Sequence, residues 1–328
     1  MEVDIPAALN ALAPKLGGNA VEKAQRLTGG ASMETWAFTV VGGDEPRPLI
    51  LRRRAIPADP EASRSVTMAA EAALIRAAEH AGAPVAPLVR LCQPGDGLGE
   101  GHITGFVAGE TLGRKIVADP KFDAVRPHLA RQCGQILARI HTIPADAAPL
   151  ATADAQGELD RYEAIYRASG AERPILEMAL QHMRRNLPPP LSNVVLHGDF
   201  RNGNMMFDPE KGVAAVLDWE LAHVGDPAED LGWLCVNSWR FGRADRPVGG
   251  FGEYQHLLEG YMEAGGAEIP LSRVLFWQAL GSLKWGIMCL MMYSSYATGA
   301  TNSVERPMIG RRVSETEIDL VNLLEAGL

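Results

Sequence analysis

His197-Gly198-Asp199-Phe200-Arg201-Asn202-Gly203-Asn204-Met205-Met206-Phe207-Asp208, followed after a short gap by Val216-Leu217-Asp218-Trp219, decides how this 328-residue chain is read. An aspartate, an asparagine five residues on, and a second aspartate behind a short apolar strand form the spacing of a phosphoryl-transfer site. That reaction asks little covalent work of a protein and mostly needs the metal and the attacking hydroxyl held in place. Mg²⁺ is a hard cation that takes oxygen ligands. Asp199 is therefore expected to accept or orient the acceptor proton, with Asn204 and Asp218 as metal ligands. His197, two residues ahead of Asp199 and directly after Val194-Val195-Leu196, is read as a brace for the loop and not as a base. A plain strand-to-turn junction, with Asn202-Gly203 as a hairpin turn, is the competing reading. It leaves unexplained why the turn Asp208-Pro209-Glu210-Lys211-Gly212, the strand from Val213 to Leu217 and the terminal aspartate all follow in register.

With these residues in view, the sequence resembles the aminoglycoside phosphotransferase and choline kinase superfamily, whose loop reads His-Gly-Asp-x-x-x-x-Asn. It looks closest to the branch whose kinase-like domain is also found fused to acyl-CoA dehydrogenases. Leu27-Thr28-Gly29-Gly30-Ala31-Ser32, Leu51-Arg52-Arg53, Gly225-Asp226-Pro227-Ala228-Glu229-Asp230-Leu231 and Ile309-Gly310-Arg311-Arg312 carry that likeness. The resemblance implies an α+β, bilobal protein-kinase-like fold. Its small N-terminal lobe (1–105) would carry an antiparallel sheet and bind nucleotide, and its larger, mainly helical lobe (106–328) would carry catalysis and the acceptor. ATP or GTP and Mg²⁺ are the implied cofactors, and a small-molecule hydroxyl the implied acceptor.

The segment before residue 55 reads as strand, glycine loop, strand, turn, strand. In related kinases such a loop covers the nucleotide phosphates, which gives Gly30 a backbone role and Ser32 a hydroxyl donor role. No lysine follows. The six lysines lie at 15, 23, 115, 121, 211 and 284, so Arg52, at the end of Leu49-Ile50-Leu51-Arg52, is expected to grip phosphate instead. Its expected partner is Glu71, in the helical stretch from Thr67 to Ala78. The bland alternative is an exposed helical glutamate near surface arginines, and Arg53 and Arg54 are read as solvated. Resemblance places an interlobe hinge at Thr104 to Gly109, where backbone groups would meet the adenine edge beside Phe106 and Val107. Asp226 is expected to cap a helix with Pro227 as its first residue, and Asp230 to support the catalytic loop from beneath. His141 is read as packing at a helix end.

A net charge of -9 without a long basic run argues against nucleic acid as a partner. Cys92, Cys133, Cys235 and Cys289 form no Cys-x-x-Cys pair and are read as reduced core thiols. The N-terminal residues lack a basic and an apolar region of the kind a secretion signal needs, which gives a cytoplasmic expectation. Val274 to Tyr293 is long enough to span a bilayer, but a central Lys284 would cost roughly 2.5–3.5 kcal/mol there, so it is read as a buried helix. Phe276, Trp277, Trp285, Met288, Met291 and Met292 are read as its core filling, with room for some to line a cleft. Oligomeric state is left open.

The acceptor is less well specified. Aminoglycosides are polycations and call for an acidic face, whereas Leu231 to Leu328 holds ten acidic and eight basic residues. An anionic or apolar metabolite is the expected acceptor, and the resemblance to the branch fused to acyl-CoA dehydrogenases puts a hydroxyacyl-CoA thioester foremost, while an antibiotic kinase and a catalytically silent nucleotide-binding module stay as alternatives. A hydrolase is set aside because neither Gly-x-Ser-x-Gly nor His-Glu-x-x-His occurs.

Overall fold

The computed structural model describes residues 4–27, 33–54 and 65–327. Helix α1 (Ile5–Leu12) starts where Asp4 accepts the N–H of Ala7 at 3.1 Å, with Pro6 in the first turn. Its Ile5, Leu9 and Leu12 fall on one face at helical spacing and are buried. They pack on a sheet built from β1 (Ala20–Leu27), β2 (Met33–Val41) and β3 (Arg47–Arg54), then, after α2 (Met68–His80), from β4 (Leu88–Leu91) and β5 (Gly101–Gly105). All neighbours are antiparallel, in the order β1-β2-β3-β5-β4.

Strand alternation decides which side chains reach the cleft. Leu49 and Leu51 of β3 point with Ile103 of β5 into the core under α1. Each such side chain stabilises by about 1.5–3 kcal/mol when fully buried. Ile50 and Arg52 must then face the other way, together with their cross-strand partners Thr104 and His102. Helix α2 lies on that side, capped by the Thr67 hydroxyl, which accepts the N–H of Ala70 at 3.1 Å. Its Ala70, Leu74 and Ala78 join the larger core of the second half of the chain.

From residue 106 the chain is mainly helical. It runs through α3 (Gly113–Ala118), α4 (Leu129–Ile140), α5 (Ala155–Ala168) and α6 (Pro174–Arg185). Two short antiparallel pairs follow, β6 (Val194–Leu196) with β9 (His223–Gly225) and, between them in sequence, β7 (Met205–Asp208) with β8 (Gly212–Val216). Then come α7 (Ala228–Leu234), α8 (Tyr254–Glu263), α9 (Leu271–Ala297), α10 (Glu305–Gly310) and α11 (Val313–Glu325). The fold is thus α+β, an antiparallel sheet followed by a helical half, as expected.

Helix α9 is long and apolar enough to cross a membrane, but 72% of its apolar window is buried inside the protein. That is how a central core helix uses such a surface. The helix packs against α5, α6, α7, α10 and α11. Helix α7 begins one residue later than expected, at Ala228, so Pro227 sits at the cap position. Asp226 still accepts the Ala228 N–H at 2.9 Å, and its second oxygen takes Arg273 Nε at 2.8 Å and Trp277 Nε1 at 2.9 Å. A buried carboxylate needs such partners to stay charged.

Candidate active site

The β6 strand delivers His197 to the edge of the second core, and the chain then turns at Gly198, whose φ is +79°. A Cβ at Gly198 would lie 2.2 Å from the carbonyl oxygen of Leu221, so only glycine fits. His197 is fully buried and braces the loop, as expected. Its Nε2 donates to the carbonyl of Leu217 at 3.0 Å, and its Nδ1 accepts the N–H of Asp199 at 3.2 Å. One neutral tautomer satisfies both bonds.

Three donors converge on the carboxylate of Asp199. Oδ1 accepts from Arg201 Nε at 2.8 Å and from Trp233 Nε1 at 2.7 Å, while Oδ2 accepts from Asn204 Nδ2 at 2.6 Å. The β7–β8 register pairs Met205 with Val216. It thereby sets Asn204 beside Leu217, whose N–H donates to the Asn204 carbonyl at 2.8 Å, and brings Asp218 to the same end of the hairpin. Asp218 has φ +64°, a left-handed conformation uncommon outside glycine and frequent at functional sites.

Arg52 reaches across from β3. Its Nη2 donates to Asp218 Oδ1 at 2.5 Å and to Glu220 Oε2 at 3.0 Å, and its Nε lies 3.5 Å from Glu71 Oε1. Burial opposes its charge, but Glu71 first and then Asp218 and Glu220 more than offset this and raise its pKa further. Glu71 is 1% exposed, which rules out the surface-glutamate alternative. Burial works against the Glu71 carboxylate, yet His102 and Arg52 hold its pKa below the ordinary value. Burial and then Asp218 push the Glu220 carboxyl up. Asn204 and Asp218 supply an amide and a carboxylate oxygen. Among the described residues no group of three or more His, Cys, Asp or Glu could hold a metal by itself. A donor pair completed by substrate phosphates is the usual arrangement for Mg²⁺, so these residues fit that ion.

Several expectations need correction or fall outside. Gly30 and Ser32 lie outside the described residues. Thr104 is a buried strand residue paired with Ile50 on the cleft side of the sheet. Phe106 is half exposed, but its N–H donates to Pro48 at 3.1 Å, and the Gly105 N–H to Pro87 at 2.9 Å. Those two backbone N–H groups are thereby spent on carbonyls of the same half of the chain. Arg53 is not solvated: it binds Glu34 at 2.7 Å and the Leu98 carbonyl at 2.8 Å. Arg54 reaches the Val66 carbonyl at 3.5 Å.

Asp230 sits beneath the loop with no exposed surface. It accepts the N–H groups of His197 at 2.8 Å and Gly198 at 2.9 Å, with His141 Nε2 at 3.3 Å. Asn202, read as a possible turn residue, is instead an anchor. It is fully buried, and its amide donates to the carbonyls of Trp239 at 3.1 Å and Gly249 at 2.6 Å. Arg201, Trp233, Glu220 and His102 were not singled out from sequence. Arg201 sits two residues past Asp199 and Glu220 two past Asp218, and that proximity is the sequence signal that could have found them.

Asp199 opens onto a cavity of about 440 Å³. Its wall includes Tyr162, Trp233, Trp239, Trp285 and the methionines 288, 291 and 292, together with Arg161, Arg201, His223, Lys284 and Arg306. Asp199 is the one carboxylate among the described residues of that wall. Trp285 and the three methionines thus serve the cleft, whereas Phe276 and Trp277 are core. Lys284 Nζ stands 4.9 Å from the Trp233 ring centre and 3.9 Å from Glu229, which also pairs with His223 at 3.2 Å. Burial disfavours the His223 cation, but Glu229 outweighs it and raises the pKa to about 9. A raised folded-state pKa adds stability that is complete below the unfolded value near 6.5 and fades as pH climbs through about 9. The melting temperature is therefore expected to fall across that window, and His223→Gln to flatten the dependence in a pH series of thermal melts.

Residues 23–269 match the family model described as "Phosphotransferase enzyme family". The chain is 26% identical over 331 residues to a probable acyl-CoA dehydrogenase of Arabidopsis thaliana, covering 91% of this chain and 39% of that one. The chain spans between 10% and 39% of the length of the acyl-CoA dehydrogenase family relatives it matches. A crystal structure from Ralstonia eutropha, assigned to the aminoglycoside phosphotransferases, shares the fold at TM-score 0.75 and 21% identity, over 98% of each chain. A spectinomycin phosphotransferase in complex with ADP and spectinomycin does so at TM-score 0.65 and 14% identity, over 96% of this chain and 98% of that one.

Proposed function

Because the chain belongs to the phosphotransferase enzyme family, we propose that it moves the γ-phosphoryl group of ATP to an alcohol on an anionic, partly apolar metabolite, foremost a hydroxyacyl-CoA thioester. Residues 1–105 serve as the nucleotide lobe and 106–328 as the catalytic and acceptor lobe. The observation that carries the reading is the Asp199 carboxylate, fixed by three donors and facing a cavity large enough for an organic acceptor. The acceptor hydroxyl gives its proton to, or is oriented by, Asp199 as its oxygen attacks the γ-phosphorus and the bond to ADP breaks. Asn204 and Asp218 would hold Mg²⁺, which when bound neutralises charge on the phosphates. Arg52, aimed by Glu71, grips phosphate oxygens in place of a lysine.

The cavity's charge favours this acceptor over an aminoglycoside. A polycation would meet Arg161, Arg201, Lys284 and Arg306 against one carboxylate. The acyl-CoA dehydrogenase relatives, named for enzymes of acyl-CoA thioesters, support a thioester acceptor. A kinetic screen with ATP and Mg²⁺ tests the choice. Phosphate-ester formation on hydroxyacyl-CoAs with no turnover of aminoglycosides is expected, and the reverse pattern would overturn the acceptor assignment.

A further inference from the structure

The arginines of the helical half are mostly spent on carboxylates. Arg167 of α5 pairs with Glu163 at 3.0 Å and Glu177 at 2.7 Å. Arg184 takes Asp160 at 2.7 Å and Glu163 at 3.1 Å, and Arg246 takes Glu253 at 2.8 Å. Arg161 lies on the same helix as Arg167 and has no such partner among the described residues. Its guanidinium rests over the Tyr162 ring at 5.6 Å. Arg306, in the first turn of α10, likewise pairs with no carboxylate among the described residues. Both are partly buried, and both line the cavity that holds Asp199.

The cavity is elongated along α9. Its wall runs from Lys284, beside the Trp233 that donates to Asp199, through Trp285, Met288 and Met292 to Ser295. Eleven residues of helix rise cover roughly 16 Å. Helix α10 closes on the far part of α9, where Gly310 meets Tyr293. Two guanidinium groups with no carboxylate partner among the described residues thus line this cavity, placed where an anionic ligand could meet them. Guanidinium forks match phosphate oxygens bidentately.

Resting on the phosphotransferase reading above, we propose that Arg161 and Arg306 form an anion-receiving mouth that binds the phosphate groups of the acceptor's carrier. The apolar Trp and Met wall takes the arm between that carrier and the reacting hydroxyl. The enzyme then selects a phosphate-bearing thioester over the same acyl group on a carrier without phosphates.

Direct binding tests this apart from the chemistry. Free CoA and free pantetheine, which lacks the phosphates, are titrated into the full chain saturated with AMP-PNP and Mg²⁺, so that the adenine site is occupied. Wild type should bind CoA more tightly than pantetheine. Arg161→Glu and Arg306→Glu should each weaken CoA by about tenfold or more while pantetheine shifts by less than about twofold. Arg185→Glu, the same charge change at an exposed position away from the cavity, controls for net charge. Equal affinity for the two ligands in wild type would overturn the proposal. So would unchanged CoA affinity in the double variant, or an equal loss for both ligands. Failure of the kinase reading shows elsewhere, as absence of phosphate ester on any alcohol.

Discussion

Asp199→Asn is expected to lower kcat by about 10² to 10⁴, the usual contribution of a positioned acid–base group, with little change in KM for ATP. The amide is nearly isosteric, so the loop should survive. What it cannot do is present two acceptor oxygens to Arg201, Trp233 and Asn204 and still take a proton from the acceptor. Its NH₂ group must face at least one of those donors. Steady-state kinetics with varied ATP and acceptor, alongside a thermal melt to confirm folding, reads the effect. Turnover within about tenfold of wild type would remove Asp199 from the chemistry. Retained nucleotide binding by this variant would also separate a disabled enzyme from a protein that only binds.

Asp230→Ala should have the largest effect on stability, about 3–5 kcal/mol, because it strips a fully buried carboxylate from partners that stay behind. Two backbone N–H groups, at His197 and Gly198, lose their acceptor, and His141 loses its anion. Buried donors without partners are costly, and these two belong to the turn that aims Asp199. Denaturant unfolding should show the loss, and the fraction still folded should turn over more slowly. Asp230→Asn keeps one oxygen and should lose less. An Asp230→Ala protein with wild-type stability would contradict the role given to this residue.

The parts of the site legible in the sequence are those set by local spacing. Asp199, Asn204 and Asp218 come together because one loop and one hairpin join them, and a strand of period two fixes Arg52 opposite Glu71's helix. Asp230 could be read because a carboxylate one turn into a helix with Leu231, Trp233 and Leu234 must find donors. The rest depends on packing between distant segments. Trp233 and Trp239 reach the loop from 34 and more residues away, and nothing local marks them. Asn202 looks like a turn residue until the 237–250 segment closes over it. Arg53 looks solvated because its partners, Glu34 on β2 and the Leu98 carbonyl in the loop before β5, are distant in sequence. The acceptor cavity was least legible, since it exists only where α5, α9 and α10 meet. Trp285 and Met288 show equally well as core or as cavity wall until then.

Phosphoryl transfer to an alcohol, with Asp199 at its centre, is the proposed reaction. Phosphorus NMR of the full chain with ATP, Mg²⁺ and a hydroxyacyl-CoA tests it most directly. One new phosphate-ester resonance is expected to grow in step with ADP, to be absent without acceptor and to grow about 10²-fold or more slowly with Asp199→Asn. ADP and inorganic phosphate formed with no ester, at the same rate in wild type and Asp199→Asn, would contradict it.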